Sequence, residues 1–139
     1  MNNNILSDIF NMVSSTRQKG WLLTKFKPLN EYKAQELKGL VKDALNSPLE
    51  PQYASLQSTL KEANDLFDRY DSMPETTNQL AETVPSGFSY SAQRGDTILP
   101  MGNMSFVYRN LPNPKRPKTL KKIQRALYNS LKSFAVPAI

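Results

Sequence analysis

Cysteine and histidine are both absent from this 139-residue chain. Without cysteine there is no disulfide framework, which argues against a secreted fold held by staples. Without either residue a structural zinc site lacks its usual ligands. The same absences remove the most versatile acid/base near neutral pH and the best nucleophile. Carboxylate, lysine and tyrosine chemistry remains, but no set of those residues has active-site spacing, so the chain reads as a binding protein and not an enzyme. No metal and no cofactor is expected. Glycine occurs five times against ten prolines, a balance that suits helices joined by stiff turns. No apolar run approaches the roughly 18 residues of a membrane-crossing helix. The opening Met1–Asp8 lacks a basic segment, and Asp8 interrupts its apolar stretch, unlike a secretory leader. Myristoylation and prenylation motifs are also missing. The expectation is an intracellular or virion-associated protein, not secreted and without a transmembrane segment.

One sign of charge is missing from a third of the chain. Residues 97–139 hold eight bases (Arg109, Lys115, Arg116, Lys118, Lys121, Lys122, Arg125 and Lys132) and no acid. Residues 47–96 hold Lys61, Arg69 and Arg94 against eight acids, a local balance of −5 within a net charge of +6. Such asymmetry points either to an external polyanion or to an acidic surface of this or another copy.

Periodicity predicts a mainly α fold. Ile5, Ile9, Met12 and Val13 share one face of a helix over 4–16, with Asn4 as candidate cap. Trp21, Leu22, Leu23 and Phe26 among lysines read as core, with a membrane-surface cluster as the alternative. A helix over about 30–46 is capped by Asn30 and buries Leu37, Leu40, Val41, Ala44 and Leu45. Ser47-Pro48-Leu49-Glu50 has the form of a capping box, and Tyr53, Leu56, Leu60, Ala63, Phe67 and Tyr70 recur at steps of three and four. This predicts a helix over about 48–72 that forms a hairpin with 30–46, with self-association along the same seam as the alternative. Glu62, Asp65, Asp68 and Asp71 fan around that helix as a solvated acidic face. A short helix is expected over 75–83. Residues 86–109 read as irregular or β-like, two short extended runs carrying Phe88, Tyr90, Met104, Phe106 and Tyr108. Gln93-Arg94-Gly95-Asp96 is placed at their turn, and its adhesion tripeptide is explained by the need for glycine there. Aromatics near Arg94 and Arg109 are most simply buried, with stacking on single-stranded bases as the sharper option.

Beyond residue 110 the reading changes from core to arm. Asn113-Pro114-Lys115-Arg116-Pro117-Lys118 is read as a stiff, extended, basic segment that weakly resembles a nuclear-import signal. A basic amphipathic helix follows over 119–134, capped by Thr119, with Leu120, Ile123, Leu127, Leu131 and Phe134 on one face. The apolar end through Ile139 is expected to be tucked against this or a neighbouring subunit. Two regions result: a helical core with its extended segment over 1–110, and a basic arm with its helix over 111–139.

The candidate polyanion-binding residues are Arg109, Lys115, Arg116, Lys118, Lys121, Lys122, Arg125 and Lys132. The candidate partner-interface residues are Tyr53, Leu56, Leu60, Phe67, Tyr70, Phe134 and Ile139. Small size, basic charge and an apolar end suit a structural or assembly protein of a nucleoprotein particle such as a virion. Its partner would be nucleic acid or an acidic neighbouring subunit. A peripheral, matrix-like protein on anionic lipid and an adaptor recognised through its C-terminal helix are the alternatives. Seven or eight phosphate contacts would give a log-affinity slope against log salt of about −6 to −7.

Overall fold

A computed structural model describes residues 3–20, 24–87 and 95–134. Helices account for 54% of it and strands for 24%. The protein is therefore an α/β mixture, and the mainly α expectation is corrected. The chain forms two compact units, one of residues 1–73 with 115–139 and one of residues 74–114.

The first unit is a ring of four helices: α1 (Asn3–Ser14), α2 (Glu31–Asn46), α3 (Leu56–Ser72) and α4 (Lys115–Lys132). Each packs on two neighbours, α1 on α2 and α4, and α3 on α2 and α4. The apolar steps of three and four explain this closure, because each helix has one stripe to bury. Leu6, Ile9 and Val13 come from α1, and Ala34, Leu37, Val41 and Ala44 from α2. Leu56, Leu60, Ala63, Phe67 and Tyr70 come from α3, and Leu120, Ile123, Leu127 and Leu131 from α4. Asn30 caps α2 by accepting from the Lys33 amide at 2.8 Å, which satisfies one of the otherwise unpaired donors of the first turn. Between α1 and α2 two short strands, β1 (Arg17–Lys19) and β2 (Thr24–Phe26), pair antiparallel.

Three helix boundaries depart from expectation. α1 starts at Asn3, ahead of the expected cap Asn4. Ser47-Pro48-Leu49-Glu50 does not open a helix: Ser47 closes α2 in an extended conformation, Pro51–Tyr53 make a single 3-10 turn, and α3 begins at Leu56. Pro51 is the reason, since the residue before a proline is pushed out of the helical region, and Glu50 sits at φ −62°, ψ 151°. At the other end of the unit the expected extended arm is helical from Lys115. Pro117 falls in the first turn of α4, where no intrahelical acceptor is due. Thr119 is inside the helix, its hydroxyl donating to the Lys115 carbonyl at 2.8 Å.

The second unit is a three-stranded antiparallel sheet in the order β3 (Thr76–Pro85), β5 (Met104–Pro112), β4 (Thr97–Met101). The helix expected over 75–83 is strand β3. Its Thr76, Thr77, Thr83 and Val84 are β-branched and fit a pleated surface, and its backbone finds a nine-residue partner in β5, with a bulge between Leu80 and Glu82. β4 and β5 join through a two-residue turn in which Gly102 takes φ +63°. Gly95, within the expected turn at 93–96, also takes a positive φ of +90°. The expected turn at 93–96 lies partly outside the described residues, as do Phe88 and Tyr90. Pro100 sits on the edge strand β4, where a missing N–H costs no ladder bond.

Candidate polyanion-binding face

With Leu120, Ile123, Leu127 and Leu131 held in the core, the opposite side of α4 is fixed toward solvent. Lys118, Lys122, Arg125, Asn129 and Lys132 follow one another at steps of 4, 3, 4 and 3 and are all exposed. Such steps keep side chains on one side of a helix. At 1.5 Å per residue the row runs about 21 Å. Lys115 is exposed at its head and Lys121, half-buried, flanks it. Among the described residues no ion pair engages Lys118, Lys121, Lys122, Arg125 or Lys132.

At its C-terminal end the row meets the β1–β2 hairpin. Two contacts fix that meeting. Gln124, fully buried, donates to the Thr16 hydroxyl at 2.7 Å and the Lys27 carbonyl at 2.9 Å, and accepts from the Leu29 amide at 3.2 Å. The Tyr128 ring stacks on Phe10 (5.5 Å between centroids, 15°) and takes the edge of Phe26 (5.6 Å, 63°). Arg17 is carried over the same ring at 4.9 Å, and the Lys132 ammonium lies 5.6 Å from its centroid. Both distances are within cation–π range. A concavity of about 200 Å³ results, lined by Arg17, Phe26, Arg125, Tyr128, Asn129 and Lys132, with three cations and no carboxylate.

Two of the sequence-predicted cations serve the fold instead. Arg109, in the sheet unit, donates to Asp96 at 3.1 Å and faces Glu82 at 3.6 Å, and the Asp96 side chain is only 4% exposed. Arg116 closes the C-terminus of α3. It donates to the Tyr70 and Met73 carbonyls at 2.9 Å each, meets Glu31 at 3.2 Å, and its guanidinium lies 4.1 Å over the Tyr70 ring. A cation at those carbonyls also complements the negative end of the helix dipole. The Tyr70 hydroxyl donates to Glu31 at 2.6 Å. That bond, with help from Gln35 and Arg116 and against desolvation, holds the Glu31 carboxyl below its ordinary range. Burial, assisted by Glu31, pushes the Tyr70 phenol up.

The candidate interface seam is in the protein's own core. Leu56, Leu60, Phe67 and Tyr70 are buried there, and half-buried Tyr53 packs on Phe134 at 6.0 Å between centroids. Ile139 and the Trp21–Leu23 cluster lie outside the described residues. On the acidic face of α3, Asp68 meets Lys42 at 3.9 Å and Asp71 bonds Lys38 and Gln35. Burial raises the Asp71 pKa, but those two bonds together with the charges of Lys38 and Arg116 outweigh it and the net shift is downward. Along β5, Phe106 and Tyr108 alternate with Val107 and Arg109 and so face the other side of the sheet from Arg109. A base stacked on those rings would not meet that guanidinium.

Among the described residues no group of three or more carboxylates could hold a metal ion, and no helix is long and apolar enough to cross a membrane. A larger groove of about 540 Å³ between α1 and α2 contains Asp8, Lys33 and Glu36. Lys33 and Glu36 pair at 3.5 Å along α2, on one wall of it.

Sequence reasoning missed Arg17, Gln124 and Tyr128. Gln124 had a signal, a polar side chain within the apolar stripe of α4. Arg17 had none, because its place depends on how a three-residue strand folds onto a helix a hundred residues away. No family model, no curated protein and no solved structure matches this chain.

Proposed function

We propose that this protein is a non-enzymatic structural or assembly component of a nucleoprotein particle, and that Lys118, Lys122, Arg125 and Lys132 seat the phosphate backbone of nucleic acid. One observation carries the reading. These four cations form a single exposed row on a helix anchored in the core, and no ion pair among the described residues takes up their charge. Counterion release from phosphate is what such a row is built to drive, and it is blind to sequence. Small size and a charge of +6 suit packaging or assembly, including that of a virion.

An anionic lipid surface is the less favoured partner for a stated reason. Interfacial helices bind by sinking an apolar face into the headgroup boundary, and the apolar face of α4 is occupied by the protein's own core. Charged and polar side chains point outward.

Fluorescence anisotropy of the full chain with duplexes of unrelated sequence tests this at low salt, beside anionic vesicles. Similar affinity for all duplexes is expected, lost when the four row residues become Gln. Equal duplex affinity in that variant, or binding to vesicles alone, would overturn the proposal.

A further inference from the structure

The concavity at the end of the row is unusual in its charge. Arg17, Arg125 and Lys132 converge on about 200 Å³ with no carboxylate in the lining. Like charges brought together repel, and the negative face of the Tyr128 ring offsets only part of that. The ring at their centre is fixed by packing. Phe10 and Phe26 lock the ring, and Arg17 and Lys132 are both placed over it. Three like charges gathered around a fixed ring, with no carboxylate in the lining, are complementary to an anion from outside.

Size and donor chemistry narrow the anion. With about 30 Å³ per water in the liquid, the space holds about six or seven water-sized atoms. A phosphate group fits within it, whereas a nucleoside, with well over a dozen heavy atoms, would extend beyond it. Two guanidiniums, an ammonium and the Asn129 amide line it and supply the donors. A phosphodiester presents one charge and two free oxygens and runs past a surface. A phosphomonoester presents close to two charges and three free oxygens, and it ends a chain.

We propose that this pocket binds a phosphomonoester, and that in the nucleoprotein setting the ligand is the terminal phosphate of a strand lying on the α4 row. The strand-end part rests on the nucleic-acid reading above, since Arg125 and Lys132 belong to both the row and the pocket. The pocket itself does not rest on that reading, because a free phosphate or a small phosphorylated molecule carries the same group.

Two measurements on the full chain separate these sources. The first is thermal unfolding in about 10 mM inorganic phosphate against chloride of matched ionic strength, since a ligand held by the folded state alone raises the melting temperature. The second compares duplexes of about 20 bp carrying 5′-phosphate or 5′-hydroxyl ends at equal salt, where one set of charge-assisted bonds is worth about tenfold in affinity. We expect phosphate to raise the melting temperature and the phosphorylated duplex to bind about tenfold tighter. Arg17→Gln should abolish both differences. Lys132→Gln, at the exposed end of α4, should reduce both and serves if loss of the Arg17 stack unfolds the first variant. A rise in melting temperature with no preference for 5′-phosphate keeps the pocket and assigns it a free phosphate. The same rise with no duplex binding at all keeps the pocket while the nucleic-acid reading fails. Absence of both effects overturns the pocket, whatever the duplex affinity, and so does their persistence in both variants.

Discussion

Arg116 and Arg125 are nine residues apart on α4, which at 100° per residue places them on opposite sides of the helix. Arg116 points along the stripe of Leu120, Ile123 and Leu127. There it meets two carbonyls, a carboxylate and an aromatic face. Arg125 points along the row of Lys118, Lys122 and Lys132 and lines an all-cationic concavity. Two identical side chains in one basic segment thus have separate tasks, one closing the end of α3 and the other facing solvent. Counting positive charges in 97–139 treats them as equivalent; the helical angle separates them. The same reasoning lowers the number of expected phosphate contacts, because Arg109 and Arg116 are committed within the protein.

The sharpest way to break this contrast is to remove what anchors α4. Gln124→Leu leaves the Lys27 carbonyl, the Leu29 amide and the Thr16 hydroxyl without their buried partner. We expect a loss of about 2–3 kcal/mol in denaturant unfolding. A loss below about 0.5 kcal/mol would show that Gln124 does not hold the hairpin on α4. Arg116→Ala should follow at about 2 kcal/mol, through lost charge-assisted bonds to the α3 carbonyls, with duplex affinity unchanged. Reduced affinity at full stability would place Arg116 with the row instead. Arg125→Ala is the mirror image: stability within about 0.5 kcal/mol of wild type, and a salt slope of duplex binding shallower by about 0.9.

Glu31 gives the smallest effect, one that depends on pH. Its pKa is lowered in the folded state. Its stabilisation is therefore full above the unfolded carboxylate value of about 4.3 and is lost as pH falls through the lowered folded value. The side chain is 59% exposed, so the wild-type advantage over Glu31→Gln should be at most about 0.5 kcal/mol near neutrality. It should vanish on acidification. An advantage that grows as pH falls would contradict the Tyr70–Glu31–Arg116 contact.

The helices were readable because each carries its own period. The α3 seam and the α4 stripe are written at steps of three and four and needed no knowledge of the partner. What sequence reasoning missed depends on distant segments. Thr76–Pro85 passes for a short helix until β5 is known to pair with it, since strand preference is a property of the neighbour as much as of the chain. The capping-box pattern at Ser47–Glu50 misleads because Pro51, directly after it, holds Glu50 out of the helical region. The basic segment was found as a whole, and its division into structural and outward cations follows only once the core face of α4 extends back through Arg116. Arg17 joins the site through the packing of β2 and α4, which no local pattern encodes.

The central claim is that the exposed α4 row, and not the basic segment as a whole, meets phosphate. Duplex affinity measured across a salt series for the full chain tests it most directly, beside a variant with Lys118, Lys122, Arg125 and Lys132 changed to Gln. Four contacts predict a log–log slope of about −3.6 for the wild type and a slope near zero for the variant. A wild-type slope of about −6 to −7, or one that survives in the variant, would contradict the account and return the binding to the whole basic segment.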